Sequence, residues 1–270
     1  MKNLVIGNTS QLSNYFPDSY EKISSRNLDF NYLKNNNWNS VYICFAEQRT
    51  FLSNNDNIFN EFYDINCSLV KKVIENINSN RIVYYSTAEL WNNCNGEITI
   101  ETPYNFISNN YTMSKYNITM ELKNKIKYPN VSIAYPFNFN SIFRKNGYLF
   151  SKIFDCLLNK TKIIIGDTYY YRDVIHPKMV VDYSIHHDII GKDFIIGSGR
   201  LIHINDLIKK LFNSMNMDYN IYVTEDLSYK SLYRNKMFYS SVYNEKYGIE
   251  ELINMTVSEL KGFNHDYRIN

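Results

Sequence analysis

Tyr111 and Lys115 stand four residues apart in Tyr-Thr-Met-Ser-Lys, a spacing that puts both side chains on one face of a helix. An ammonium beside a phenol favours the phenolate, so such a pair can pass a proton to or from a substrate oxygen near neutral pH. The chain has 25 tyrosines, and an exposed helical pair without chemistry is the competing account of this spacing. Ser86 and Thr87 add two hydroxyls directly after an apolar run, where the active-site groups of open α/β sheets collect. Gly7-Asn8-Thr9-Ser10-Gln11-Leu12-Ser13 lies between the first apolar run and the first helical stretch, the position of a dinucleotide-binding turn. The full form of that turn has three glycines, and here Ser10 and Ser13 hold the second and third places. A helix N-terminus after Gly7 offers free N–H groups to a phosphate, yet alone the stretch fits an ordinary strand-to-helix turn equally well. His186-His187-Asp188 gathers metal-binding residue types, but adjacent imidazoles diverge and no third ligand follows at a recognised spacing, so a polar surface is the better account.

The elements that must hold these residues follow from apolar periodicity. Strands are predicted at 3–6, 21–25, 40–46, 81–86 and 131–135, with helices at 11–16, 58–76 and 111–125. The runs SVYICFA and RIVYYS are continuous, as strands buried on both faces require. Phe62, Ile65, Leu69, Val73 and Ile77 recur at helical spacing. This alternation makes βαβ units and hence a parallel sheet. After Pro136 the rhythm changes to a helix at 151–160, strands at 162–167 and from 194, and helices at 204–212 and 249–260.

Composition narrows the function classes. Over 270 residues, 44% are hydrophobic and 21% charged, with a mean hydropathy of −0.39, which excludes a disordered chain and a multi-span membrane protein. A formal charge of +2 argues against a broad nucleic-acid surface. No signal peptide or membrane-spanning run is read at MKNLVIGNTS or elsewhere, so a cytoplasmic protein is expected. Cys44, Cys67, Cys94 and Cys156 are widely spaced without a CxxC and read as reduced and mostly buried. Trp38 and Trp91 read as core or pocket packing.

Several segments then fall in one order. SVYICFAEQ, EFYDINCSLVKKVIE, RIVYYSTAELW, YTMSK, YPFN at 135–138, YRDVIHPKMVVD and FIIGSGRLIHINDLI together resemble the extended short-chain dehydrogenase/reductases, the NAD-dependent epimerase/dehydratase family that works on nucleotide sugars. The resemblance covers nearly the whole chain. It implies an α/β fold, a Rossmann-type doubly wound parallel sheet with a smaller mixed α/β substrate-binding domain. Residues 1–137, completed by segments near 174–200, would bind NAD(P), and 138–173 with 201–270 the nucleotide sugar.

Residue roles are carried over position by position. The resemblance makes Thr87 the hydroxyl that bonds the reacting sugar oxygen and Tyr111 the acid/base; Lys115 holds the cofactor ribose and tunes the tyrosine. Gly7, Thr9, Ser10, Gln11, Leu12, Arg26, Phe45, Ala46 and Tyr135 join Lys115 as cofactor-binding residues. Ser86, Glu89, Asn138 and Arg172 join Thr87 on the substrate side, Arg172 because its planar fork suits a diphosphate. The other account of Arg172 is a surface ion pair with Asp173. Asn66 falls on the family's Asn position, and His176 reads as structural. No metal is implied. Arg26 stands where NAD enzymes of this type carry an acid for the ribose 2′-hydroxyl, and an Arg there accepts a 2′-phosphate, favouring NADP(H) over NAD(H). Glu89 matches the acid of sugar dehydratases, whereas Ala88 lacks the Asp or Ser with which they expel water, so an intact dehydratase is disfavoured. The activity implied is reduction of a nucleotide-linked 4-keto-6-deoxysugar. The alternatives are an epimerase with tightly bound NAD and a cofactor-binding descendant without turnover. A homodimer through the helices near 62–77 and 111–125 is also implied.

Overall fold

Six parallel strands make one sheet in the computed structural model of the chain, which describes residues 1–49, 54–55, 58–144, 147–187, 190–228, 230–231, 234–242 and 248–263. They are β1 (Lys2–Ile6), β2 (Glu21–Ile23), β3 (Asn37–Ile43), β4 (Asn78–Tyr85), β5 (Val131–Pro136) and β6 (Phe194–Ile196), in the spatial order β6-β5-β4-β3-β1-β2. The chain moves outward from β1 to β2, then returns to place β3 on the other side of β1. Loops leaving β1 and β3 therefore diverge, the arrangement that opens a ligand crevice at the carboxyl ends of a doubly wound sheet. Leu4, Val5 and Ile6 of β1, Val41 and Ile43 of β3, and all of β5 are buried. This explains why these strands read as unbroken apolar runs.

Two elements differ from their expected form. The helix expected at 11–16 is a single 3₁₀ turn, Leu12–Tyr15. The Ser13 hydroxyl lies 2.8 and 2.7 Å from the carbonyls of Asn8 and Ser10, and Asn14 Nδ2 donates to the Ser10 carbonyl. Such local side-chain bonds compete with helix propagation, and Pro17 holds Phe16 extended. The second is the helix over 59–75, which contains a π-helical segment, Asp64–Leu69, between Phe59–Tyr63 and Val70–Glu75. The wider turn rotates the buried face onto Phe62, Asn66, Cys67, Val70, Val73 and Ile74 in place of Ile65 and Leu69.

The chain divides into two compact units, one of residues 1–93, 100–136 and 180–196, the other of 94–99, 137–179 and 197–270. The second has its own core, built from Leu149–Asn159, Ile204–Ser214 and Ile249–Gly262 through residues such as Phe154, Leu207, Phe212 and Leu252. Its polar centre is the fully buried Asp173. Oδ1 accepts from Ser198 N and Oγ at 2.8 and 2.7 Å, and Oδ2 from Ser240 N and Oγ at 2.9 and 2.7 Å and from Gly199 N at 3.2 Å. A Cβ on Gly197 would sit 2.2 Å from Ser240 Oγ, so this packing demands glycine. Asp173 is thus occupied by hydroxyls and backbone, which corrects the surface-pair account of Arg172. Among the described residues, no helix is long and apolar enough to cross a membrane.

Candidate active site

Thr87 follows β4 in an extended conformation, and its Oγ1 accepts from Glu89 N at 3.2 Å, opening the 3₁₀ turn Ala88–Trp91. Glu89 accepts from Asn92 Nδ2 at 3.0 Å, and Asn92, fully buried, accepts from Ile107 N at 2.7 Å. This chain of bonds ties the strand end to the segment feeding the helix Asn110–Leu122. Asn109 and Thr112 close a capping box, each side chain accepting from the other's backbone N–H at 3.0 Å. Tyr111 is thereby set in the first helical turn, 8% exposed, with Lys115 one turn further on.

Lys115 is 2% exposed. Its ammonium donates to the Tyr85 carbonyl at 2.8 Å and to Tyr84 Oη at 3.1 Å, and lies 4.8 Å from the Tyr84 ring centroid. Burial pulls its pKa down to about 7, against the smaller upward pull of the Cys67 and Cys44 thiols. A lysine so placed gains or loses its charge within the physiological range. The π-helical segment turns Asn66 inward, where Oδ1 accepts from Glu47 N at 2.7 Å and Nδ2 donates to Ser114 Oγ at 2.9 Å. Ser114 in turn donates to the Tyr111 carbonyl at 2.9 Å. Asn66 thus braces the Tyr111 helix against the loop after β3. Tyr84 was not distinguished from its apolar neighbours in the sequence; only its hydroxyl in an otherwise buried strand could have marked it.

The turn after β1 has one position that rejects a side chain. Gly7 has φ +106°, and a Cβ there would lie 2.8 Å from Phe45 N. Gly7 N and Asn8 N both donate to the Ile23 carbonyl, and Ser10 Oγ accepts from Ser13 N at 3.2 Å. Thr9 is exposed, Leu12 is buried, and Phe45 packs beneath Gly7 beside half-buried Ala46. The 3₁₀ turn supplies no helix dipole, so the expected helix N-terminus is corrected to a loop, in which the N–H groups of Gly7, Asn8, Ser10 and Ser13 are already bonded within the turn and to Ile23. Two observations fit that loop to a dinucleotide: backbone approaches closely at Gly7, and Gln11 Oε1 is buried without a partner among the described residues. Arg26 lies just beyond β2, exposed, with no side-chain partner among the described residues.

Other expected site residues are engaged elsewhere. Ser86 Oγ shares a 2.8 Å hydrogen bond with Thr119 Oγ1. Tyr135 is fully buried against Trp91, its hydroxyl bonded to Tyr104 Oη at 2.6 Å, so its side chain is turned into packing. Asn138 and Arg172 belong to the second unit. There Asn138 Nδ2 donates to the Asp173 carbonyl at 3.3 Å, and Arg172, 5% exposed, donates to the Tyr171 carbonyl at 2.8 Å and stacks over Tyr170. His176 is buried, with Nε2 3.3 Å from Glu259. His186 bonds the Asp182 carbonyl while His187 stacks on Tyr183 and packs at a tilt against Phe194; Asp188 lies outside the described residues.

No protein-family model and no curated protein sequence matches the chain. Solved structures do match it. The UDP-glucuronic acid 4-epimerase from Bacillus cereus, in complex with UDP-glucuronic acid and NAD, is similar at 15% identity over 97% of this chain and 99% of that one, with a TM-score of 0.79. The dTDP-glucose 4,6-dehydratase DesIV from Streptomyces venezuelae, with NAD bound, is 14% identical over 99% of both chains, TM-score 0.77. RMD from Pseudomonas aeruginosa, complexed with NADPH, is 14% identical over 97% of this chain and 100% of that one, TM-score 0.75. At such identities the likeness defines the fold. It is the Rossmann-type α/β fold of these enzymes, as the collinear sequence segments imply.

Proposed function

We propose that this chain is an NAD(P)-dependent oxidoreductase of the extended short-chain dehydrogenase/reductase type, acting on a nucleotide-linked sugar. The observation that carries this reading is the buried Lys115 ammonium, one helical turn from Tyr111 and bonded to Tyr84 and Tyr85 at the end of β4, the latter two residues before Thr87. Support comes from the fold shared with structures that hold NADPH, or NAD with a nucleotide sugar. The nicotinamide, when bound, supplies or takes up hydride at the sugar carbon. Tyr111 holds the proton exchanged with the sugar oxygen, and the Lys115 charge favours its phenolate. Because Thr87 Oγ1 accepts from Glu89 N, its own hydrogen is left to donate to that oxygen.

Within this class we favour reduction of a 4-keto-6-deoxysugar with NADPH, the exposed Arg26 guanidinium being suited to a 2′-phosphate. Asn138 and Arg172 are assigned to the diphosphate, the first unit to the cofactor, and the second to the sugar nucleotide. Copies of the chain are assigned a pairing through the helices at 59–75 and Asn110–Leu122. The second reading is an epimerase, for which Glu89, half-buried beside Thr87 and bonded to Asn92, is an equally suitable acid. Titration with NADPH and NADH, followed by nicotinamide absorbance with a panel of nucleotide 4-keto-6-deoxysugars, tests both. NADPH consumption with one member supports the reductase. Tight NAD binding with inverted product and no net consumption supports the epimerase, and absence of any dinucleotide binding overturns the whole reading.

A further inference from the structure

We propose that Tyr84 is a positioning residue for Lys115: from the closed side of the site, its phenol oxygen accepts from the lysine ammonium and keeps charge on it. The inference rests on the functional reading above for its kinetic consequence only; the contact itself belongs to the folded chain.

Three facts carry it. First, Tyr84 is fully buried on β4, and a buried phenol needs a hydrogen-bond partner that a phenylalanine would not. The partner is Lys115 Nζ at 3.1 Å. Second, an ammonium has three donors, of which Tyr84 Oη and the Tyr85 carbonyl take two. One is left for the open side, where a ribose hydroxyl is assigned. Third, the surroundings offer little else to hold a charge. The titratable groups acting on Lys115 are Cys67 from the helix at 59–75 and Cys44 after β3, while Tyr111, on the lysine's own helix, acts on Tyr84. These are thiols and phenols; no carboxylate among the described residues takes part. A neutral phenol oxygen and one carbonyl therefore stand where a buried ammonium would ordinarily have an acid. Burial holds the Tyr84 phenol well above its usual pKa, so it stays a neutral acceptor across the working range.

The contact predicts a coupled titration. An acceptor bonded to the ammonium favours the charged form, so removing it lowers the lysine pKa. Lys115 is followed by ¹⁵N-lysine NMR in the purified full chain, its signal assigned by Lys115→Met. In Tyr84→Phe the midpoint is expected to fall by about one pH unit or more, and the alkaline limb of kcat to move down with it. Unchanged Lys115 midpoints in folded Tyr84→Phe overturn the proposal, even where melting temperature falls, since that pattern is packing alone. Should Tyr84→Phe not fold, the Tyr111→Phe chain labelled at tyrosine Cζ decides. One remaining resonance is expected to titrate with Lys115 and to stop doing so once Lys115→Met is added; no such resonance overturns the proposal. Lack of turnover by the unmodified chain defeats the functional reading, while both NMR measurements still decide the role of Tyr84.

Discussion

Lys115 shows how a single buried side chain can lower the stability of a fold. Its pKa, pulled from 10.5 to about 7 by burial, means that folding costs it a proton above pH 7. The unfolded chain binds more protons between those values, so this residue's contribution to stability rises with pH across that window and is least favourable below it. Lys115→Met removes the buried charge but orphans Tyr84 Oη and the Tyr85 carbonyl, at about 1 kcal/mol each. The net expectation is a gain of ~1–2 kcal/mol in unfolding free energy at pH 6, shrinking as pH rises towards 10.5, together with loss of turnover. Urea unfolding at a series of pH values checks it, and a variant less stable at pH 6 contradicts the burial argument. One helical turn away, Tyr111→Phe removes the phenol hydroxyl to which the proposed function assigns the proton, while keeping the ring. Turnover is expected to fall about 100-fold or more with cofactor affinity kept; a rate near that of the unmodified chain removes Tyr111 from the chemistry.

Among the elements, the strands were the most legible, because burial on both faces forces the continuous runs VYICF and RIVYY. Tyr111 and Lys115 were legible for the related reason that helical spacing follows from geometry. Periodicity could not show that Ser10 and Ser13, standing where glycines are usual, bond one another and end the first helix after one turn, since that depends on side-chain hydrogen bonds. Nor could it show the π turn that moves the buried face from Ile65 to Asn66, a polar residue that an apolar count passes over. Tyr84, Ser86 and Tyr135 illustrate the same limit, their partners lying 30 or more residues away. The serine pair makes the loop testable. Ser13→Ala frees the Asn8 and Ser10 carbonyls and is expected to weaken NADPH binding several-fold, with kcat little changed and a stability loss of about 1 kcal/mol. Gly7→Ala adds a Cβ against the Phe45 backbone at a positive φ, and about 2–4 kcal/mol of destabilisation with loss of binding is expected. Isothermal titration and thermal melts measure both; full NADPH affinity in Gly7→Ala moves the dinucleotide away from this turn.

At the scale of the whole molecule, a shared fold over nearly the entire chain coexists with 14–15% identity. What a sequence must keep for such a fold is therefore a small set of constraints with many apolar solutions around them. In the second unit the clearest constraint is Asp173, whose five hydrogen bonds join the 197–199 loop to Ser240. Asp173→Asn preserves volume but must point an amide NH₂ at N–H donors on one of its two sides, leaving buried donors facing a donor. A loss of about 3 kcal/mol follows from the cost of unsatisfied partners of a buried charge. Because the second unit has its own core, that loss is expected to be local. Hydrogen exchange should quicken in Leu149–Asn159, Ile204–Ser214 and Ile249–Gly262 while β1, β3, β4 and β5 stay protected. NADPH binding, assigned to the first unit, should then survive a substitution that impairs the reaction with the sugar nucleotide. Uniform loss of protection across both sets of elements means instead that the two units unfold as one, and that Asp173 stabilises the chain as a whole.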